Sequence, residues 1–316
     1  MRHIIKSTIL IITYFLVTIS LFAQNNFLSE DYKLFGRKEP ISLGSVFSAL
    51  ATSPIMANPA SVAFVTDNRI SIGLSTSEIG SGLFFSCMAP NLSISSATQT
   101  ATKNDSIEQD HKKQLLHFNF SISSEDLGFS KDGNIIAIGI SVKRQMDKLI
   151  QNDETIEGGN AVSVDVGMLY KWKQLTMEVI IVDINNPKLN NTTEDTTEVS
   201  YKTSFIVGGR YTTARGLTIA VQGIGGESYT DSDWGINLGA EQSFLNYRLI
   251  SRIQMTSFFK GSEATMQNIS GNIGYRLDPK YSWANFLKDL ELSYTLSFLT
   301  MPKVVGTHLL TLTKYF

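Results

Sequence analysis

Leu290-Glu291-Leu292-Ser293-Tyr294-Thr295-Leu296-Ser297-Phe298 alternates an apolar with a polar residue at every step. Successive side chains of a β-strand point to opposite faces, so the segment has one greasy face and one face of carboxylate and hydroxyls. The same division recurs in Ile136, Ile138, Ile140, Val142 against Ala137, Gly139, Ser141, Lys143, and in Trp234, Ile236, Leu238, Ala240 against Gly235, Asn237, Gly239, Glu241. It returns in Leu217–Gln222 and in Ile269–Arg276. A soluble sandwich alternates in the same way, so period alone leaves two readings open. Two features favour a barrel that sits in lipid. The polar face is mostly Gly, Ser, Thr and Asn, as a narrow wet lumen requires. Aromatics (Tyr170, Trp172, Tyr211, Trp234, Tyr247, Tyr275, Phe298, Tyr315, Phe316) gather near the strand ends, as interfacial girdles do.

The last stretch, His308-Leu309-Leu310-Thr311-Leu312-Thr313-Lys314-Tyr315-Phe316, is another alternating strand with an aromatic at its end. It resembles the terminal strand signature of outer-membrane barrels, with Leu310, Leu312, Tyr315 and Phe316 as the closing residues. An unsatisfied backbone group in hydrocarbon costs several kcal/mol, so the last strand of such a barrel must pair with the first. Alternation places strands at 68–78, 81–89, 91–100, 115–124, 134–145, 160–173, 175–185, 201–212, 215–226, 232–242, 246–258, 266–276, 288–298 and 307–316. The expected fold is all-β: a transmembrane antiparallel barrel of about 14 strands with a short N-terminal helical plug segment. Connections mostly alternate long (Thr100–Gln114, Asn185–Ser200) with short (Lys173–Leu175, Thr213–Arg215), which predicts outer loops, periplasmic turns and both termini in the periplasm.

Residues 1–23 read as a signal peptide, with Arg2, His3 and Lys6 before an apolar run from Ile9 to Phe22 and then Ala23. Residues 24–67 form a periplasmic or plug segment, in which Ser42–Leu50 reads as a short helix, and 68–316 form the barrel. Charged residues are 18% of the chain, below the usual quarter, which excludes an acidic or basic disordered chain. The whole chain has 27 basic against 29 acidic residues; without Arg2 and Lys6 the balance is −4, which gives no reason to propose nucleic acid. Cys87 is the single cysteine, so no intrachain disulfide supports the fold.

Leu43-Gly44-Ser45-Val46-Phe47-Ser48-Ala49-Leu50-Ala51, followed by Asn58-Pro59-Ala60-Ser61-Val62-Ala63, resembles the N-terminal motif of the PorV/PorQ family, relatives of the FadL long-chain fatty-acid transporters. Thr52-Ser53 replace that family's usual acidic pair, and Met56-Ala57 stand where aromatics are often found. Val182-Asp183-Ile184-Asn185-Asn186-Pro187-Lys188-Leu189 is similar to the family's Asn-Pro turn after a mid-barrel strand, and Gly306–Leu312 to its closing strand. The resemblance implies a FadL-like barrel of the cell outer membrane, reached by signal-directed export, often serving type IX secretion in Bacteroidetes. The plug motif it implies is Leu43, Gly44, Asn58, Pro59 and Ala60. Implied partners are outer-membrane lipid, the barrel assembly machinery, and secretion-system proteins or an apolar ligand.

Residues that carry chemistry are few. Only His3, His111, His117 and His308 are present, with no metal-ligand spacing, and Gly223-Ile224-Gly225-Gly226 ends a strand instead of opening a helix. We expect no cofactor, no metal and no catalytic residue. A hydrolase built at the lipid-facing rim would have to use His117 or His308; both sit near strand ends, where a half-solvated imidazole costs little. The strongest polar set is Asn237, Glu241, Arg248 and Arg252. An arginine facing lipid at mid-depth costs roughly 2–4 kcal/mol, so these should face inward, and a turn centred on Phe244-Leu245 would set Glu241 opposite Arg248 and Asn237 opposite Arg252. Asp289 and Glu291 should share an inward face.

Three functions compete: an accessory or docking barrel for protein export, which the resemblance favours; a FadL-like passage for hydrophobic small molecules; and a barrel with a filled lumen. The second needs an apolar inner pocket and a gap in the wall, and the inward residues Ile250, Phe258 and Leu299 lie too far apart to establish one.

Overall fold

The computed structural model describes residues 58–316 apart from 78–79, 105–107, 131–132, 152–153, 192–198, 201–202, 226–233, 246–248, 278–286 and 302–304. The signal peptide, the expected helix at Ser42–Leu50, Leu43, Gly44 and Arg248 lie outside the described residues.

Fourteen antiparallel strands form the wall: β1 (Arg69–Ser77), β2 (Gly80–Ala89), β3 (Leu92–Asn104), β4 (Glu108–Ser123), β5 (Asn134–Gln151), β6 (Glu154–Trp172), β7 (Leu175–Val182), β8 (Ser204–Thr212), β9 (Leu217–Gly225), β10 (Trp234–Phe244), β11 (Leu249–Lys260), β12 (Glu263–Arg276), β13 (Leu290–Met301) and β14 (Val305–Tyr315). Each pairs with its neighbours in sequence. The ring closes where β1 meets β14, from Arg69 opposite Tyr315 to Ser77 opposite Thr307. Two short segments, Lys188–Asn191 and Val199–Ser200, form a side ladder that pairs with β6.

The alternation resolves inside out. Ile138 is 51% exposed and Ile219 56%, on the outer surface, while Asn237 is 0% and Gln222 1% exposed, in the lumen. Water would reverse that arrangement; lipid favours it, because each apolar outer side chain meets hydrocarbon and each polar inner one finds a partner. Trp172, Tyr211, Trp234, Tyr275, Phe298 and Phe316 are exposed on the outside. Tyr315 departs from the expected girdle. It lies on the inner face, where its hydroxyl donates to Glu291 Oε2 at 2.8 Å and the Arg276 guanidinium stacks 4.2 Å from its ring centre.

The ladders run further than the hydrophobic pattern. Thr100–Gln114, expected as a long loop, continues as paired strand, with Thr100 opposite Lys112 and Asn104 opposite Glu108. β5 and β6 likewise pair out to Gln151 and Glu154. Beyond the apolar band nothing requires a greasy face, so the strands continue there as polar sequence that looks like loop. For the same reason the expected alternation of long and short connections is not kept: the expected long connection Thr100–Gln114 shortens to 105–107, while 124–133, at the other end, is long.

One turn at that end is held by a carboxylate. Asp126 Oδ2 accepts from the Ser123 hydroxyl at 2.6 Å and the Ser123 N–H at 2.8 Å, and these donors hold its carboxyl below the usual value of 3.8. A group with a depressed folded pKa adds stability above its unfolded pKa and loses it as pH falls through the folded one. Exchange of the Ser123 amide should therefore stay slow at pH 5 and quicken only as pH drops through the depressed range below 3.8, whereas Asp126→Ala should exchange fast at every pH. Hydrogen exchange in micelles read against pH checks this.

Candidate functional site

Asn58 is the first of the described residues. Asn58 caps a short 3-10 helix, Pro59–Phe64: its Oδ1 accepts from the Ala60 N–H at 3.0 Å, and its backbone carbonyl accepts from Ser61 N at 2.8 Å. Residues 58–62 are buried against the inner wall of β4, β5 and β6. The wall makes room for them with glycine. A Cβ on Gly139 would overlap the Pro59–Ala60 backbone, and one on Gly167 would overlap Asn58 Oδ1 and come within 2.8 Å of Pro59 Cδ. Asn58, Pro59 and Ala60 are thus seated against the inner wall, Pro59 and Ala60 in 3-10 form.

From Asn58 a polar chain runs along the inner wall, across adjacent strands. Asn58 Nδ2 donates to Glu178 Oε2 at 3.3 Å, and Glu178 Oε1 accepts from Gln222 Nε2 at 2.6 Å. Gln222 Oε1 accepts from Asn237 Nδ2 at 2.8 Å, and Asn237 Oδ1 accepts from the Thr256 hydroxyl at 3.2 Å. A second chain lies beside it. Arg252 Nε donates to Glu241 Oε2 at 2.5 Å, Arg252 Nη1 to Asn272 Oδ1 at 3.4 Å, and Asn272 Nδ2 to Thr295 Oγ1 at 2.8 Å. Asn237, Glu241 and Arg252 face inward as expected, but the register is corrected. Arg252 stands opposite Glu241, and Asn237 opposite Thr256. Phe244 pairs with Leu249, so the connection holds four residues, beginning at Leu245 with φ 52, instead of a tight turn on Phe244-Leu245. A shift of an even number of residues leaves every side chain on its face. Asp289 pairs with Arg276 at 3.0 Å.

On the opposite wall His117 Nε2 lies 2.7 Å from Ser141 Oγ, and Ser141 donates to Asp165 Oδ2 at 3.2 Å. The proton order is wrong for a nucleophile. Ser141 gives its proton to the carboxylate and so must accept from His117, whereas a catalytic serine gives its proton to an imidazole that the carboxylate orients. His308, on the outer face, has Nδ1 2.6 Å from the Tyr294 hydroxyl. Among the described residues no group of three His, Cys, Asp or Glu side chains could hold a metal.

The wall itself is broken at 183–187. Val166 faces Ile181, but Asn160 faces Asn190, so six steps along β6 are matched by nine along its partner. Asp183 and Asn186 take up the excess with φ of 55 and 44, and Pro187 has no N–H to offer. Side chains replace the missing ladder. Asn185 Oδ1 accepts from Val164 N at 3.0 Å and its Nδ2 donates to Val162 O at 2.9 Å, as a strand backbone would; Asn186 Oδ1 accepts from Thr203 N at 2.8 Å. Irregular backbone at membrane depth must be satisfied in this way. Next to the break, Ile180 and Val182 of β7, Ile206 of β8, Ile224 of β9 and Phe258 of β11 form a buried apolar cluster on the lumen side. The sequence reading had only Phe258 of these; strand parity from β7 to β11 would have found the other four.

No family model matches the chain, and no curated protein is similar to it. Solved structures are. The CymD monoaromatic hydrocarbon channel aligns with TM-score 0.56 at 10% identity, over 85% of this chain and 94% of that one. A deltaS2S3 mutant of the TodX monoaromatic hydrocarbon channel aligns with TM-score 0.54 at 10% identity (84% and 95%), and the toluene transporter TbuX of Ralstonia pickettii with 0.52 at 10% (85% and 94%). The fold is shared with these channels.

At that identity the likeness concerns the barrel and carries over no binding residue.

Proposed function

We propose that this chain is a non-enzymatic outer-membrane barrel that passes small hydrophobic molecules, with the break at 183–187 as the place where they cross the wall. The observation that carries this reading is the apolar cluster of Ile180, Val182, Ile206, Ile224 and Phe258 lying directly behind that break. The other buried apolar clusters among the described residues, Ala60 with Ala137 and Leu169 and Val62 with Val65 and Met88, include residues of the Pro59–Phe64 segment, so this cluster is the one that adjoins the irregular wall. Neighbours of the same fold that carry monoaromatic hydrocarbons or toluene suggest the size class of the solute. The FadL-like affinity seen in the sequence points the same way. An accessory role in type IX secretion rests on the resemblance to PorV/PorQ alone, and no described side chain favours it.

Uptake of radiolabelled toluene into vesicles carrying the barrel tests the proposal. Wild-type vesicles should take toluene up faster than empty ones, and Phe258→Gln, which puts an amide into the apolar cluster, should lower the rate about 10-fold, as about 1.4 kcal/mol lost from the favoured surface would do. Equal rates for wild-type and empty vesicles would sink the passage. If secretion-system proteins co-purify with the barrel from its native membrane while toluene uptake is absent, the docking reading replaces it.

A further inference from the structure

The lipid side of the break is sealed by Asn185 and Asn186; its lumen side is pinned by charge. Lys143 Nζ, on β5, lies 2.8 Å from Asp165 Oδ1 and 3.0 Å from Asp183 Oδ1. The same Asp165 Oδ1 accepts from the Asp183 N–H at 2.9 Å, and Ser141 holds the other oxygen of Asp165. One ammonium thus spans the regular wall at β6 and the first residue of the irregular segment. Directly after it, Ile184 N donates to Val164 O at 2.9 Å, the last backbone bond before the side-chain seal takes over.

We propose that Lys143, clamped between Asp165 and Asp183, is a latch that holds the 183–187 segment shut against β6. The inference rests on the passage reading for its physiological meaning, but the latch is a property of the fold and can be tested without any solute. Without the ammonium, two carboxylates that now share a single counter-charge would face each other on partly buried positions, and like charges in that setting repel. The element free to move is the one with the weaker ladder. β6 is fixed along its length to β5, whereas Asp183–Pro187 meets β6 without a continuous ladder, through the Asp183 N–H on Asp165, the Ile184 N–H on Val164 and the Asn185 side chain. Opening there would lead from lipid to Val182 and the apolar cluster.

The same clamp connects the break to the lumen. Ser141 ties Asp165 to His117 on β4, two strands away from the segment.

Hydrogen exchange of the full barrel in detergent micelles, read by mass spectrometry at the Val164 and Ile184 amides, tests the latch. Lys143→Met should raise exchange at these two amides at least 10-fold and leave the β11–β12 ladder unchanged. Adding Asp183→Asn to that variant should recover most of the protection, because asparagine tolerates the same positive φ and removes the repulsion. Loss of packing by the lysine stem alone would not be rescued in this way. If Lys143→Met does not assemble, Lys143→Gln, which keeps a polar head in the same space, should show the same change with smaller amplitude. Exchange that is unchanged in the lysine variants, or that rises without rescue by Asp183→Asn, would overturn the latch. Raised exchange with unaltered toluene uptake would leave the latch standing and count against the passage.

Discussion

Arg252→Met should lower the stability of the folded barrel by about 3–5 kcal/mol, the cost expected when one partner of a buried ion pair is removed and the other stays. Glu241 is 2% exposed and its Oε2 lies 2.5 Å from Arg252 Nε, so in the variant an acceptor-only carboxylate would remain in the lumen without its charge-assisted donor. Methionine fills much of the arginine stem's volume, which keeps a cavity from dominating the result. The loss extends further along the chain, because Arg252 also donates to Asn272, and Asn272 in turn holds Thr295 on β13. Urea unfolding and refolding in phospholipid vesicles, followed by tryptophan fluorescence, measures the difference. Replacing both partners with apolar residues, Glu241→Leu with Arg252→Met, should cost less than Arg252→Met alone, since the carboxylate that lost its guanidinium is then gone and Arg210, which interacts with both Glu178 and Glu241, keeps Glu178. If the single and double variants lose the same amount, packing rather than charge is what the pair contributes.

That pair shows how much of the barrel is legible in the sequence. Parity alone placed Asn237, Glu241 and Arg252 on the inner face, because a charge on the other face would meet lipid, and an even shift in register preserves parity. Pairing was not legible. It depends on the length of the Leu245–Arg248 connection, and nothing in those four residues distinguishes a two-residue turn from a four-residue one. The upper strands were missed for a different reason: from Ala101 to Lys113 the ladder runs through threonine, lysine and glutamine, and hydrophobic periodicity, the signal that identifies strands, is lost once the strand leaves the apolar band. The break at 183–187 was visible as Asn185-Asn186-Pro187 but read as a turn, since the sequence does not show that asparagine side chains would stand in for backbone. Lys143 was already on the polar face of its strand; its two aspartates come from β6 and from the break, and only the folded ring brings them together.

The expected plug motif was singled out by its Asn58-Pro59-Ala60 letters, and each of the three has a structural reason. Asn58 caps the 3-10 turn with one side-chain atom and reaches Glu178 and the Met168 carbonyl with the other; Pro59 presets the first helical residue; Ala60 is small enough to lie against Ala137 and Gly139. The seat is as specific as the motif. Gly139→Val should expel the Asn58–Phe64 segment, because its Cβ and two methyls would occupy the space of the Pro59–Ala60 backbone, and backbone cannot rotate away as a side chain can. Overpacking of this kind costs about 1–3 kcal/mol when the neighbours yield, and here the yielding element is a six-residue helix that Val62 O ties by a backbone bond to the Asn91 N–H of the β2–β3 turn. The wall itself should survive, since valine is a good strand residue and β5 keeps both of its neighbours. Two measurements separate expulsion from general damage. Limited proteolysis should cut the variant between Asn58 and Phe64 while wild type resists, and single-channel recordings in planar bilayers should show a several-fold larger conductance through the same barrel. Asn58→Ala, which removes the cap and the bond to Glu178 but leaves the glycine seat, should give an intermediate conductance. A Gly139→Val barrel that stays protected at 58–64 and conducts like wild type would mean that the segment is held from elsewhere, and the Asn-Pro-Ala turn would lose its role as the anchor.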